Sequence, residues 1–173
     1  MSDSSVLRIY ITGTPGTGKT TVSKSLSHML DLDFLEINDL IIENGLYFGY
    51  DVDRDTLIVD DELLTKELAS KLQTNNRICI SGGMVVLNLP LDYIIILHSS
   101  IPILRERLES RNYSDSKIES NIESEIMNVL FYEFVEYYPP EIIFEIQNEG
   151  KNVENICKQI ISIIGKHHLG VSI

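Results

Sequence analysis

"GTPGTGKT", residues 13–20, is the stretch that decides the fold. It fits the pattern G-x-x-x-x-G-K-S/T in register, with the strand before and the helix after that the pattern requires. "VLRIYIT" (6–12) is short, apolar and β-rich, which predicts a buried strand. "KTTVSKSLSHMLDL" spaces Val22, Leu26, Met29 and Leu30 as one face of a helix. Gly13, Gly16 and Gly18 let the backbone curl so that successive N–H groups converge on phosphate oxygens, and the helix N-terminus adds its dipole. Thr14, Pro15 and Thr17 complete the loop. Lys19 is placed to reach the β- and γ-phosphates, Thr20 to ligate Mg²⁺, and Thr21 to offer its N–H and hydroxyl to the α-phosphate. The segment reads as a nucleoside triphosphate site.

Outward from the loop, strands alternate with helices. Strands are predicted at "DFLEI" (33–37), "RICIS" (77–81), "LDYIIILH" (91–98) and "EIIFEI" (141–146). Helices are predicted at "DELLTKELASKLQ" (61–73), at "ILRERLES" behind Pro102, and at "VENICKQIISIIGK". Another is expected from Asp115, capped by Ser114, to about Tyr138, where two prolines stop it. Residues 38–60 read as a short helix ended by Gly45 and then an acidic loop, with Asp51, Asp53 and Asp55 solvated. Apolar runs such as "IIIL" need cover on both faces, so the class is α/β: a parallel sheet between helical layers.

The 173 residues fit one domain, 1–173, with 43% hydrophobic and 23% charged residues. No apolar run is long enough to span a bilayer, and "MSDSSVLRIYI" lacks a basic region ahead of an apolar one. Two cysteines, Cys79 and Cys157, make no disulfide framework, and a reduced, cytoplasmic setting is expected. The net charge of −12 disfavours direct nucleic-acid binding, and no membrane partner is expected. Residues 36–67 hold ten acids against Arg54 and Lys66, whereas Arg105, Arg107 and Arg111 cluster in "LRERLESR". Arg107 and Arg111 share a helix face at the entrance to "RNYSDSK" and suit a lid that clamps phosphate; Arg105 reads as solvated surface. His167 and His168, in the tail "HHLGVSI", read as exposed side chains, not metal ligands.

No guanine-reading N/T-K-x-D follows a later strand, and the chain is short for a motor, which leaves the small-kinase branch. Within it, "GTPGTGKTT", "DLIIENGLYFGYD", "DTLIVDDELL" and above all "RLESRNYSDSKIESNIESEI" resemble the atypical adenylate kinases of archaea and of the eukaryotic nucleus, the coilin-interacting, isoenzyme 6 type. The family pattern R-x-Y-S-x-x-K-I-x-x-N-x-x-x-E-I is met by Arg111, Tyr113, Ser114, Lys117, Ile118, Asn121, Glu125 and Ile126. The resemblance covers about residues 7–165. It implies a three-layer P-loop kinase fold with a five-stranded parallel sheet, a monophosphate-binding region near 36–59 and a short lid near 109–119. It implies ATP and Mg²⁺ as cofactors, with ATP contacts at Gly16, Gly18, Lys19, Thr20, Thr21 and Arg111, and γ-phosphoryl transfer to AMP or another nucleoside monophosphate. It also implies ATPase activity and, as the alternative function, a switch assisting ribosome small-subunit maturation through a basic ribosomal protein.

Three departures fall near the active centre. Ser81-Gly82-Gly83 stands where many members carry D-x-H, His98 where they carry arginine, and Ile42 where the eukaryotic AMP region has arginine. A serine at 81 reaches Mg²⁺ only through water, which narrows the chemistry to an acceptor that is already anionic.

Overall fold

In the computed structural model residues 6–150 and 152–168 are described, His167 and His168 by backbone alone, so the reading of those two side chains lies outside the described residues. Five strands make the central sheet: β1 (Leu7–Thr12), β2 (Asp33–Glu36), β5 (Arg77–Ser81), β6 (Tyr93–His98) and β7 (Ile143–Gln147). They lie in the order β2-β5-β1-β6-β7, every pair parallel. Period-two alternation sorts their side chains. Tyr10, Ile78, Ile80, Ile94 and Ile96 face one way, against α2 (Ile37–Asn44), α3 (Asp61–Thr74) and α6 (Val129–Tyr137). Ile9, Ile11, Cys79, Ile95 and Leu97 face α1 (Lys19–Leu30) and α7 (Val153–His168). Cys79 and Cys157 are both free and buried in this second layer. The expected three-layer α/β architecture is therefore present.

A third, smaller apolar cluster joins α4 (Ile101–Glu109) to α5 (Asp115–Ile126) through Leu104, Leu108, Ile118 and Ile122. Ser114 caps α5 by accepting from the Lys117 N–H at 3.3 Å. Among the described residues no helix is long and apolar enough to cross a membrane.

Two elements differ from the sequence reading. The acidic loop is an antiparallel hairpin of β3 (Tyr47–Asp51) and β4 (Thr56–Val59). Its turn is organised by Asp51, whose Oδ1 accepts from the N–H groups of Asp53 and Arg54, both at 3.0 Å. The flanking "YFGYD" and "TLIV" supply aromatic and β-branched side chains that favour extended backbone, although Phe48 stays 76% exposed. The helix expected from 115 to 138 is two helices. Asn128 sits between them at φ 52°, in the left-handed region that asparagine tolerates, and breaks the helical path before either proline is reached.

Phe134, on α6, is fully buried with its ring 5.8 Å from Tyr10 and 5.9 Å from Tyr138. Phe134→Ala is expected to lower stability by about 3–5 kcal/mol in urea denaturation. A loss of only about 0.5 kcal/mol, the size of a surface substitution, would contradict this packing.

Candidate active site

The loop between β1 and α1 is held open from behind. Gly13 adopts φ 148°, and a Cβ there would collide with the Leu97 carbonyl oxygen. Gly18 caps α1 at φ 92°, where a Cβ would lie 2.6 Å from Asn148 Nδ2. Three of the loop carbonyls are satisfied by partners within the protein. Thr14 O accepts from the Thr17 N–H at 3.2 Å, the Thr17 hydroxyl at 2.9 Å and Lys19 Nζ at 3.2 Å. Gly16 O accepts from Arg107 Nη1 at 2.9 Å, and Thr17 O accepts from Asn148 Nδ2 at 2.8 Å. The first-turn amides of α1 have no intrahelical acceptor and face outward with the positive end of the helix dipole. An oligophosphate is the ligand such a surface takes.

The loop borders a cleft of about 650 Å³, within the range of small-ligand sites. Pro15, Gly16, Gly18, Lys19, Thr20 and Thr21 line one side of it. Asn38 and Asp39 of α2 and Thr56 of β4 line another, and Arg111, Tyr113 and Lys117 complete the lining. Thr14 and Thr17 are buried behind the loop. Of the clustered arginines, only Arg111 enters the cleft lining. Arg105 pairs with Glu119 at 2.7 Å on the surface. Arg107 spends its guanidinium on Gly16 O and, at 3.0 Å, on the Ser99 hydroxyl. Ile42 is 61% exposed on α2, away from the cleft lining.

Several contributors carried no role in the sequence reading. Glu125 near the end of α5 accepts from the Thr14 hydroxyl at 2.5 Å and the Ser99 N–H at 3.0 Å, and contacts His98 Nδ1 at 3.1 Å. His98 Nε2 meets Glu145 at 3.0 Å. Only the imidazolium can donate from both ring nitrogens, and the hydrogen bond with Glu125 raises the His98 pKa against the opposing effect of burial. Burial pushes the Glu125 carboxyl up, but bonds from His98, Thr14 and Ser99 outweigh it and hold it below the usual carboxylate range. Glu36, at the end of β2, accepts from the Thr20 hydroxyl at 2.9 Å. Lys117 Nζ donates to the Asp55 carbonyl at 2.6 Å and its carboxylate at 3.1 Å, joining α5 to the hairpin turn. Asp51 thus organises the turn and Asp55 the clasp, while Asp53 contributes its backbone N–H. Ser81 is fully buried, and its hydroxyl has no hydrogen-bond partner among the described residues.

The family described as "AAA domain" matches residues 9–128. A protein of Methanocaldococcus jannaschii named "Putative adenylate kinase" is 37% identical over 161 residues, covering 93% of this chain and 87% of its own. One of the same name from Saccharolobus solfataricus is 32% identical over 154 residues, covering 89% and 81%. The chain belongs to the adenylate kinase-like family of P-loop phosphotransferases. Solved structures carry the fold beyond recognisable sequence. A shikimate kinase from Bacteroides thetaiotaomicron superposes with TM-score 0.64 at 19% identity, covering 92% of this chain and 98% of that one. A gluconokinase from Sinorhizobium meliloti gives 0.57 at 15%, covering 93% of each.

Among the groups lining the cleft, Lys19 has a strongly shifted charge state. Burial lowers its ammonium to about 8, while Glu36 pulls it upward and Arg111 presses it further down. A bound triphosphate favours the charged form, so binding takes up a proton once the free enzyme has lost one. ATP affinity is expected to hold steady below pH 8 and to fall by up to about tenfold per unit above it. Calorimetry in buffers of different ionisation enthalpy checks this: proton uptake at pH 9 is expected, and a flat affinity from pH 7 to 9.5 would contradict it.

Proposed function

We propose that the chain transfers the γ-phosphoryl group of ATP to AMP or a related nucleoside monophosphate. The observation that carries this reading is one continuous cleft lined by the phosphate loop, by α2 and Thr56 of the hairpin, and by Arg111. ATP is placed with its phosphates on the loop amides and Lys19. The monophosphate is placed against α2 and β3–β4, within the region 36–59, under the short lid at 109–119. Phosphoryl transfer has a loose transition state with charge spread over the moving group, so positive groups and positioning supply most of the catalysis. Lys19 and Arg111 act on that charge. Arg107 acts at one remove, fixing the Gly16 peptide and hence the loop's shape.

The acceptor phosphate is already an anion and needs no base, which fits a serine at position 81. The donors present suit Mg²⁺: a first-turn hydroxyl at Thr20, a carboxylate bonded to it and a buried hydroxyl at Ser81 are all hard oxygens. Bound there, the cation would neutralise β- and γ-phosphate charge, with Thr20 as its direct protein ligand. The names of the archaeal relatives support adenylate kinase chemistry, and the stretch 107–126 supports the finer likeness to the isoenzyme 6 type.

A coupled assay with a panel of monophosphates, ATP and Mg²⁺, run beside phosphate release without acceptor, tests the reading. ADP formation is expected to be fastest with AMP. Lys19→Ala is expected to remove turnover, and Arg111→Ala to lower kcat about 10²-fold or more while weakening nucleotide binding far less. Phosphate release without transfer to any monophosphate would overturn the reading in favour of an ATPase switch acting on a basic protein partner.

A further inference from the structure

At the end of β5 the fold offers no carboxylate, only the buried Ser81 hydroxyl. The adjacent strand supplies one in register. Glu36, the last residue of β2, is the Cα partner of Ser81, which is in turn the partner of Ile11 on β1. In parallel pairing such partners project from the same face. Ile11 packs with Val22 and Leu26 of α1, so this is the face on which α1 begins. Thr20, in the first turn of α1, donates its hydroxyl hydrogen to Glu36 Oε2 at 2.9 Å, and both residues line the cleft beside Lys19.

That bond has a chemical consequence. A hydroxyl has one hydrogen and two lone pairs. With the hydrogen held by Glu36, the lone pairs of Thr20 are left to face the phosphate site, the orientation a cation ligand needs. The second carboxylate oxygen of Glu36 has acceptor capacity for water on the same side. Mg²⁺ keeps several waters when it binds through one or two protein groups and phosphates. Of the two carboxylates in the cleft lining, Glu36 and Asp39, Glu36 is the one bonded to Thr20.

We propose that Glu36 is the metal-positioning carboxylate of this enzyme: it orients the Thr20 hydroxyl and accepts hydrogen bonds from the water shell of the divalent cation, supplying the negative charge that Ser81 lacks. The inference rests on the phosphotransferase reading and specifies how that site takes its cation. Outer-shell partners of metal ligands contribute about 10–100-fold to metal affinity, so a loss of that size is the expected signature of removing the carboxylate.

Mn²⁺ serves as a paramagnetic probe of Mg²⁺. Its affinity for the enzyme complexed with a non-hydrolysable ATP analogue is read by electron paramagnetic resonance, with analogue binding in chelator measured separately. Glu36→Gln keeps the shape of a half-exposed side chain and removes only the charge. It is expected to weaken Mn²⁺ about 10–100-fold without weakening metal-free analogue binding, since it also relieves Lys19 of a neutralising neighbour. Glu36→Asp retains the carboxylate and is expected to keep more Mn²⁺ affinity than the glutamine variant. Wild-type Mn²⁺ affinity in Glu36→Gln, or equal losses in the two variants, would overturn the assignment. Failure of the unmodified enzyme to bind the analogue at all would instead overturn the phosphotransferase reading on which it rests.

Discussion

The structure depends on one constraint: a short run of backbone must present its N–H groups to an anion while its carbonyls go elsewhere. A carbonyl left pointing into the site would repel phosphate, and one buried without a partner would cost about 1–3 kcal/mol. The chain meets the constraint with groups far away in sequence. Arg107, on α4, takes the Gly16 carbonyl, and Asn148, just beyond β7, takes that of Thr17. The strand order brings both within reach, because β6 and β7 lie consecutively beside β1. The parallel sheet is the frame that lets late segments of the chain grip an early loop.

The same logic extends to α5. Helix α5 is tethered at both ends: by Glu125 to Thr14 in the loop, and by Lys117 to Asp55 in the hairpin. The first tether is partly buried, and its Glu125 carboxylate also meets His98 Nδ1, whose other ring nitrogen meets Glu145. The second is exposed, and exposed ion pairs contribute about 0–1 kcal/mol. The electrostatics follow the same division. In a chain of net charge −12, Lys19, Lys24, Arg111 and Lys117 all line one cleft, so the field that gathers anions comes from α1, the α4–α5 connection and α5.

Local patterns were legible in the sequence, and long-range ones were not. The loop, its flanking strand and helix, and all five sheet strands could be read, because each is written in contiguous residues. The hairpin was hidden because its strands keep aromatic side chains such as Phe48 exposed, and burial is what makes strand alternation conspicuous. The break at Asn128 was hidden because helical spacing continues on both sides of one left-handed residue. At the site, the motif placed Lys19, Thr20 and Thr21 in the cleft lining. It carried no signal for Asn148, Glu125 or Glu36, whose contacts with the loop and its helix span 131, 111 and 16 residues. The arginine cluster divided three ways for the same reason: helical spacing shows which side chains share a face, not which carbonyl or carboxylate waits opposite.

The central claim is that one cleft seats two nucleotides with their phosphates meeting between Lys19 and Arg111. Calorimetric titration with a pentaphosphate joining two adenosines tests it most directly, because that compound spans both sites at once. One molecule bound per chain, far tighter than ATP or AMP and displaced by either, is the predicted result. Binding no tighter than ATP, and indifferent to AMP, would contradict it.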